Sequence, residues 1–280
     1  MTSRLLVKPD LSANGPQVHL VTPQSAGWRY VGFEVFDLAP GQTLARRLPD
    51  REQCLVLLSG RANVRVASED FGTLGNRTSP LAGKPFAVYV PPRTEMQLTA
   101  EGHCELAVGS APAEGRFRAR LIRPDEVREE VRGTGTNTRY VYDILPEGTE
   151  AESLLVVEVR TPGGHWSSYP PHKHDVHDPP REVDLDEIYY YRMNQPEAFA
   201  FQHLYSGQNS AERTVKAKDG DAVLVRSGFH PVVAGPGYDV YYLNFLAGSS
   251  RTMAVTEDPQ HVWIRSTWKE TDPRLPMVRG

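Results

Sequence analysis

Four of the nine histidines lie in one fourteen-residue stretch, HWSSYPPHKHDVHD, at residues 165–178. Neutral imidazole is the commonest protein ligand for divalent transition metals. In an extended chain, residues two positions apart point to the same side, so His172 and His174 could hold one ion between them. The spacing therefore predicts half of a metal site.

Two later residues supply the other half of this site. Glu187 begins the strand-like run EIYYYRM, and His230 follows a glycine corner in GFHPVV. With His172 and His174 they give three imidazoles and one carboxylate, a set that leaves room for water or for substrate oxygens. Zinc is the first choice for these ligands, although iron, manganese or nickel would accept them too.

The elements that must position these residues read as short β-strands. The chain has 23 glycines and 23 prolines, and runs rich in Val, Leu, Tyr and Phe lie between these turn signals. Because no segment shows a sustained 3.6-residue apolar period, helices should be few and short. The runs form two groups separated near residues 120–140, which predicts an all-β protein of two barrels, at residues 1–128 and 129–280.

Composition excludes several classes of protein. Lysine and arginine total 31 against 35 acids, a net charge of -4, which argues against a nucleic-acid surface. The longest apolar runs fall far short of the roughly 20 residues of a membrane-spanning helix. The N-terminus lacks the apolar core of a secretory signal, and Cys54 and Cys104 lie in apolar, strand-like contexts. We therefore expect a cytoplasmic protein with no membrane partner.

The order HxH, glutamate, glycine and histidine resembles the two motifs of the cupin superfamily. Cupins usually place the glutamate three or four residues after the second histidine, but here twelve residues, DVHDPPREVDLD, separate His174 from Glu187. The usual spacing would select Asp178. Glu187 is the better choice, because an aromatic strand follows it, whereas Asp178 precedes two prolines and should lie on a loop.

Within the cupins, four segments are similar to the 5-deoxyglucuronate isomerase family of bacterial myo-inositol catabolism: PPHKHD, LDEIYYYR, RGTGTNTRYVYDIL and KDGDAVLVRSGFHPVVAGPGYDVYYLNFLAG. The resemblance implies a bicupin of two jelly-roll (double-stranded β-helix) barrels, of which the N-terminal one is degenerate and the C-terminal one binds the metal. It also implies conversion of 5-deoxy-D-glucuronate to 5-dehydro-2-deoxy-D-gluconate. A related family with the same architecture, 4-deoxy-5-ketouronate isomerase of pectin breakdown, is the alternative.

Such a reaction needs a base that removes a carbon-bound proton, and an electrophile that the metal supplies as a Lewis acid. His177 and Asp178 lie beside the ligands and are the candidate bases, although both could be ordinary loop groups. No organic cofactor is required.

The residues that bind the sugar acid are less well defined. If Glu187 faces the metal, Tyr191 faces the same way, and Tyr242 and Gln202 occupy comparable places on other strands. These three are the candidate substrate-binding residues, and packing is their alternative role. Lys173 and Arg192 should point away from the metal, which leaves the partner of the substrate carboxylate open.

Two other functions are compatible with the same metal ligands. One is a non-catalytic sugar-binding or structural bicupin in which the histidines hold a stabilising ion, and the other is a metal-dependent dioxygenase. An open coordination position beside polar groups would argue against the first, and turnover without oxygen would exclude the second. Exposed edge strands of barrels are often covered by a partner, so a homo-oligomer is a further expectation.

Overall fold

A computed structural model describes residues 5–12, 15–206 and 212–268, and their regular secondary structure is almost entirely β. The helices in this part of the chain are α1 (Pro23–Ala26) and two 3-10 helices, η1 (Gly135–Asn137) and η2 (Val262–Thr267). None of the described helices is long and apolar enough to cross a membrane. The predicted all-β class is confirmed.

The strands of the first half build two sheets. These strands are β2 (Gln17–Val21), β3 (Gly32–Leu38), β4 (Thr43–Arg46), β5 (Arg51–Ser59), β6 (Ala62–Val66), β7 (Glu69–Leu74), β8 (Ala87–Val90), β9 (Met96–Ala100), β10 (Cys104–Pro112) and β11 (Arg120–Ile122). A six-stranded sheet of order β11-β8-β5-β10-β3-β2 faces a four-stranded sheet of order β4-β9-β6-β7. Leu55 and Leu57 of the first sheet and Val64 and Leu98 of the second share one apolar core.

The second half repeats this plan. Its strands are β12 (Arg128–Arg132), β13 (Arg139–Leu145), β14 (Leu155–Thr161), β15 (Trp166–Ser167), β16 (His172–Lys173), β17 (Leu185–Met193), β18 (Ala200–Leu204), β19 (Arg213–Ala217), β20 (Ala222–Val225), β21 (Val232–Ala234), β22 (Val240–Gly248) and β23 (Thr256–Glu257). Together with β1 (Leu6–Val7), six of these strands form a seven-stranded sheet of order β1-β20-β17-β22-β14-β13-β12. It faces a four-stranded sheet of order β15-β21-β18-β19, and β16 pairs with β23.

One short strand crosses between the halves. The first strand, β1 (Leu6–Val7), pairs with β20 and so joins the large sheet of the second half. The predicted division at residues 128 and 129 stays a prediction. By its hydrogen bonds, β1 belongs to the second half although its residues lie in the first.

Besides the core inside each half, a third core lies between the halves, where the outer faces of the two large sheets pack on each other. Cys54 and Val56 of β5 meet this core together with Tyr190 of β17 and Phe245 of β22. The contact is so close that a Cβ at Gly109 would collide with the Phe245 ring. A strand buried on both faces reads as a continuous apolar run rather than an alternating one, which explains QCLVLL. Both cysteines are free and buried.

An ion pair is buried beside this third core. The Arg77 guanidinium donates to both carboxylate oxygens of Glu158, at 3.1 and 2.6 Å, and the Tyr241 hydroxyl donates to the same carboxylate at 2.7 Å. Arg77 also donates to the backbone oxygens of Leu57 and Gly83, at 3.1 and 3.2 Å. These bonds join the first half, which contributes Arg77, to strand β14 of the second.

We expect Arg77→Met to lower the free energy of unfolding by about 3–5 kcal/mol, because it leaves the Glu158 carboxylate buried without a cation. Urea unfolding followed by circular dichroism measures this change. The control is Arg65→Met, which breaks the exposed pair with Asp70 and should cost less than about 1 kcal/mol. Equal losses in the two variants would contradict the importance of the buried pair.

Candidate metal centre

Three predicted ligands meet inside the second half. The ligand atoms of His174, Glu187 and His230 all lie within 4.8 Å of one another, and all three residues are buried. The Nε2 atoms of His174 and His230 lie 2.9 and 3.3 Å from the Glu187 Oε2 atom. Two imidazoles therefore converge on one carboxylate oxygen, as ligands of a single ion would.

The other nitrogens of these two rings support the same interpretation. His174 Nδ1 lies 3.0 Å from the Leu185 backbone oxygen, and His230 Nδ1 lies 2.9 Å from the Gly228 backbone oxygen. A carbonyl can only accept, so each Nδ1 carries a proton. Each Nε2 is then the ring atom directed at the Glu187 carboxylate, where a bound metal would take the place of the Nε2 proton. Metal-ligating histidines are usually oriented by a bond of this kind. The residues present thus fit a divalent metal ion.

His172 lies at the open side of this group. Its ring centroid is 4.9 Å from that of His230 and 6.4 Å from that of His174. Burial lowers the pKa of His172 well below its usual value, and the neighbouring His230 and His174 lower it further. The ring is therefore neutral near pH 7, which is the state in which an imidazole binds a metal.

Electrostatics keep the carboxylate ionised. Burial by itself would raise the pKa of Glu187, but the hydrogen bonds from His174 and His230 outweigh it and lower the pKa to about 2. Burial likewise acts to lower the pKa of His174, and the hydrogen bond to Glu187 raises it instead. The Glu187 carboxylate therefore stays ionised at physiological pH.

Backbone geometry explains why these residues meet. Glu187 lies in β17 opposite Val225 of β20 and Leu246 of β22, so its position is fixed on both sides. Gly228 adopts a φ of +84°, and a Cβ there would collide with the Tyr205 backbone oxygen. This left-handed turn, which favours glycine, presents the Gly228 carbonyl to the His230 ring.

Glu182 folds the insertion between His174 and Glu187 back onto the HxH segment. The buried Glu182 carboxylate accepts from the Lys173 Nζ atom at 2.8 Å and from the backbone nitrogens of Asp175 and Val176 at 2.8 and 2.9 Å. Asp175 in turn accepts from the Gly228 backbone nitrogen at 2.7 Å. These bonds tie the segment of His174 to the turn of His230.

Sequence reasoning did not identify Asp175 and Glu182 as positioning residues. The proline-rich segment gave no strand or helix signal, and the long-range bond from Gly228 to Asp175 has no local signature. Lys173, which pairs with both acids, points away from the metal ligands, in agreement with strand alternation.

The two predicted bases lie outside the cluster. The His177 Nδ1 atom is 2.6 Å from the Ser249 Oγ atom and 3.3 Å from an Asp184 carboxylate oxygen, and its side chain is 50% exposed. Asp178, 47% exposed, pairs with Arg181. Because the bonds of both residues go to groups other than the ligands, their role as a base stays a prediction without support from the geometry.

The predicted substrate-binding residues form a buried layer next to the ligands. The Tyr191 hydroxyl donates to the Gln202 Oε1 atom at 2.9 Å, and Gln202 Nε2 lies 3.4 Å from the His230 backbone oxygen. The Tyr242 ring packs at 4.9 Å from that of Tyr189, which in turn lies 5.9 Å from the His230 ring. Contact of these residues with substrate stays a prediction, and packing against the metal ligands is what the distances show.

A cavity of about 650 Å³ opens beside His172. Its lining includes Tyr169, Pro170 and Leu246, and several charged side chains face it. The volume lies in the range that small-molecule sites occupy. Gln202, Tyr191 and Tyr242 are absent from the described lining of this cavity.

Comparison with known proteins identifies the family and the fold of this chain. The sequence matches the KduI/IolB family over residues 5–264. The chain belongs to the KduI/IolB family. Relatives named 5-deoxy-glucuronate isomerase include one from Geobacillus thermodenitrificans, 47% identical over 94% of this chain and 96% of that protein. Another, from Bacillus subtilis strain 168, is 38% identical over 94% of this chain and 98% of that protein.

Solved structures place the KduI/IolB chain in the cupin fold. An IolB-like protein from Salmonella typhimurium LT2 has a TM-score of 0.91 and 42% identity, over 94% of this chain and 99% of that one. A Bacillus subtilis oxalate decarboxylase variant has a TM-score of 0.62 and 13% identity, over 92% of this chain and 80% of that one. The latter likeness concerns the fold alone, and with the paired sheets it confirms the predicted bicupin.

We expect His230→Ala to lose its metal, because it removes one of the ligands that meet at Glu187. Elemental analysis of purified protein should show about one ion per wild-type chain and a loss of at least about tenfold in the variant. His103→Ala is the control, since His103 is an exposed residue of the first half that pairs with Asp37. Full occupancy in His230→Ala would remove the ligand assignment.

The choice between the two carboxylates is tested by a matched pair of amides. Glu187→Gln should lose metal, because a neutral amide replaces the carboxylate on which both histidines converge. Asp178→Asn should keep its metal, since that residue pairs with Arg181 at the surface. The same elemental analysis decides, and the opposite pattern would transfer the ligand role to Asp178.

Proposed function

We propose that this chain is a metal-dependent aldose-ketose isomerase that converts 5-deoxy-D-glucuronate to 5-dehydro-2-deoxy-D-gluconate in inositol catabolism. The observation that carries the proposal is the cluster of His174, Glu187 and His230. Beside it, His172 lines a cavity of about 650 Å³. The relatives that bear the isomerase name match nearly the full chain, which supports the choice of substrate.

An open side distinguishes a catalytic ion from a structural one. Catalytic metal sites keep a position for water or substrate, whereas structural sites are closed by protein ligands. Here His174, Glu187 and His230 are buried, and His172 lines the cavity. This asymmetry favours the enzyme over the sugar-binding bicupin with a stabilising ion.

His172, His174, Glu187 and His230 would hold the ion, and zinc is the metal that we propose for them. When bound, a divalent metal acts as a Lewis acid toward the carbonyl and hydroxyl oxygens of the sugar. The reaction itself moves one hydrogen from C2 to C1, and the two oxygens exchange a proton, so that no oxidant or organic cofactor is consumed.

The buried tyrosines act as donors in this scheme and not as bases. Burial raises the pKa values of Tyr189, Tyr191 and Tyr242, and the charge of Glu187 acts in the same direction. Each phenol therefore keeps its proton at neutral pH. Tyr189, whose hydroxyl lies 3.1 Å from the Ser168 Oγ atom, packs against the His230 ring and would exclude water from that side of the ligands.

A coupled assay tests this function on two substrates. Wild-type protein should isomerise 5-deoxyglucuronate faster than 4-deoxy-5-ketouronate, equally well with and without oxygen. Removal of the metal with a chelator should reduce the rate to background, and added zinc should restore it. Faster turnover of 4-deoxy-5-ketouronate would select the other isomerase, and a requirement for oxygen would select a dioxygenase. The cytoplasmic location and the homo-oligomer stay predictions from the sequence.

A further inference from the structure

Four arginines line the cavity beside His172, and they differ in whether an acid neutralises them. They are Arg128, Arg132, Arg139 and Arg265. A sugar acid carries a carboxylate at the end of the chain opposite to its reacting carbonyl. Such a substrate needs a cation in the cavity that is not already paired.

Three of these arginines have carboxylate partners. Arg128 and Arg132 both pair with Glu130, which lies between them on β12, and the Arg132 contact is 2.8 Å. Arg265 pairs with Glu257, with its Nε atom 3.0 Å from each carboxylate oxygen. Their charges are therefore largely compensated within the protein.

Arg139 is different. Among the described residues it forms no ion pair, and its Nη1 atom donates only to the Asn137 backbone oxygen, at 3.1 Å. Its guanidinium carbon lies 5.9 Å from the centre of the Trp268 ring. Burial lowers the pKa of Arg139 to about 10, and the charges of Arg132 and Arg265 act in the same direction. The group remains a cation at neutral pH. The Glu257 carboxylate also lines the cavity and acts to raise this pKa, but it is bonded to Arg265 and forms no ion pair with Arg139.

The strand pairing shows where this cation points. Arg139 and Val141 are two positions apart on β13, and Val141 belongs to the core inside the second half. Arg139 therefore shares the inward face. It also lies directly opposite Arg132 of β12, whose charge is already compensated by Glu130.

Arg139 is also close to the ligand group. Burial is the largest cause of the lowered pKa of His172, and the charge of Arg139 acts in the same direction. The same charge opposes the rise that burial gives to the pKa of Tyr242, so the electrostatic influence of Arg139 extends to both residues. Arg139 and His172 line the same cavity. A six-carbon acid that reaches from one to the other would place its carbonyl end at the metal ligands and its carboxylate at the guanidinium.

We propose that Arg139 binds the carboxylate of the substrate and thereby sets the preference of the enzyme for sugar acids over neutral sugars. This inference rests on the proposed isomerase function. The planar guanidinium can donate two parallel hydrogen bonds to a carboxylate, which fixes the direction of the chain as well as its charge. From the sequence, Lys173 and Arg192 were expected to point away from the metal, and both are paired with acids elsewhere.

The test uses metal-loaded protein and two substrates, 5-deoxyglucuronate and the neutral sugar in which a hydroxymethyl group replaces the carboxylate. Arg139→Gln should raise KM for the acid by about 10- to 100-fold with a smaller change in kcat, and should change kcat/KM for the neutral sugar by less than about threefold. Arg139→Lys should recover part of the loss, because it keeps the charge but not the paired donors.

The control is Arg132→Gln, which removes a cavity arginine that already has Glu130 and should alter kcat/KM for the acid by less than about threefold. Equal losses on both substrates in Arg139→Gln, or no loss on the acid, would overturn the inference.

A binding measurement separates this inference from the proposed function. The C1 alcohol of 5-deoxyglucuronate keeps the carboxylate but cannot isomerise, and calorimetry should show that wild type binds it at least about tenfold more tightly than Arg139→Gln. An inactive wild type would refute the isomerase, and the calorimetry would still decide the role of Arg139. Equal affinity in the two proteins would overturn that role.

Discussion

The alternation of side chains along β17 is the constraint on which the rest of this structure depends. The strand is buried on both faces between β20 and β22. Glu187, Tyr189 and Tyr191 face the interior of the second barrel, and Ile188 and Tyr190 face the first half. A slip of one residue would exchange these faces, so the packing of the two halves also holds the metal carboxylate in place.

The halves therefore contribute to the site in different ways. In the first half, both faces of the large sheet are used for packing, and its charged residues serve the contact with the second half. Glu105 accepts from Tyr190 and pairs with Arg192, and Arg77 pairs with Glu158. Because a buried ion is costly without its partner, these pairs disfavour any arrangement of the halves that separates them. The barrel without the metal ligands thus acts as a support for the strand that carries Glu187.

The features that are encoded locally could be predicted from the sequence. Two-residue periodicity gave the inward face of Glu187 and Tyr191, and the glycine before His230 indicated the turn that orients its ring. His177 and Asp178 were chosen because they are close in sequence to the ligands. The structure binds them to Ser249 and Arg181 instead, since Glu182 folds the insertion back on itself. Proximity along the chain fails as a guide wherever a loop is held by long-range hydrogen bonds.

Arg139 shows why a substrate-binding residue is harder to read than a metal ligand. A metal site needs particular residue types at recognisable spacings. An arginine that binds a substrate carboxylate is recognised instead by its lack of an acidic partner within the protein. Whether Arg139 has a partner depends on the register of β12 against β13 and on Glu130 being shared by Arg128 and Arg132. Neither the strand register nor the sharing of Glu130 can be recognised in the sequence RGTGTNTRY around Arg139. Charge compensation is a property of the folded cavity, and the side chain left without it is the one that an anionic substrate can use.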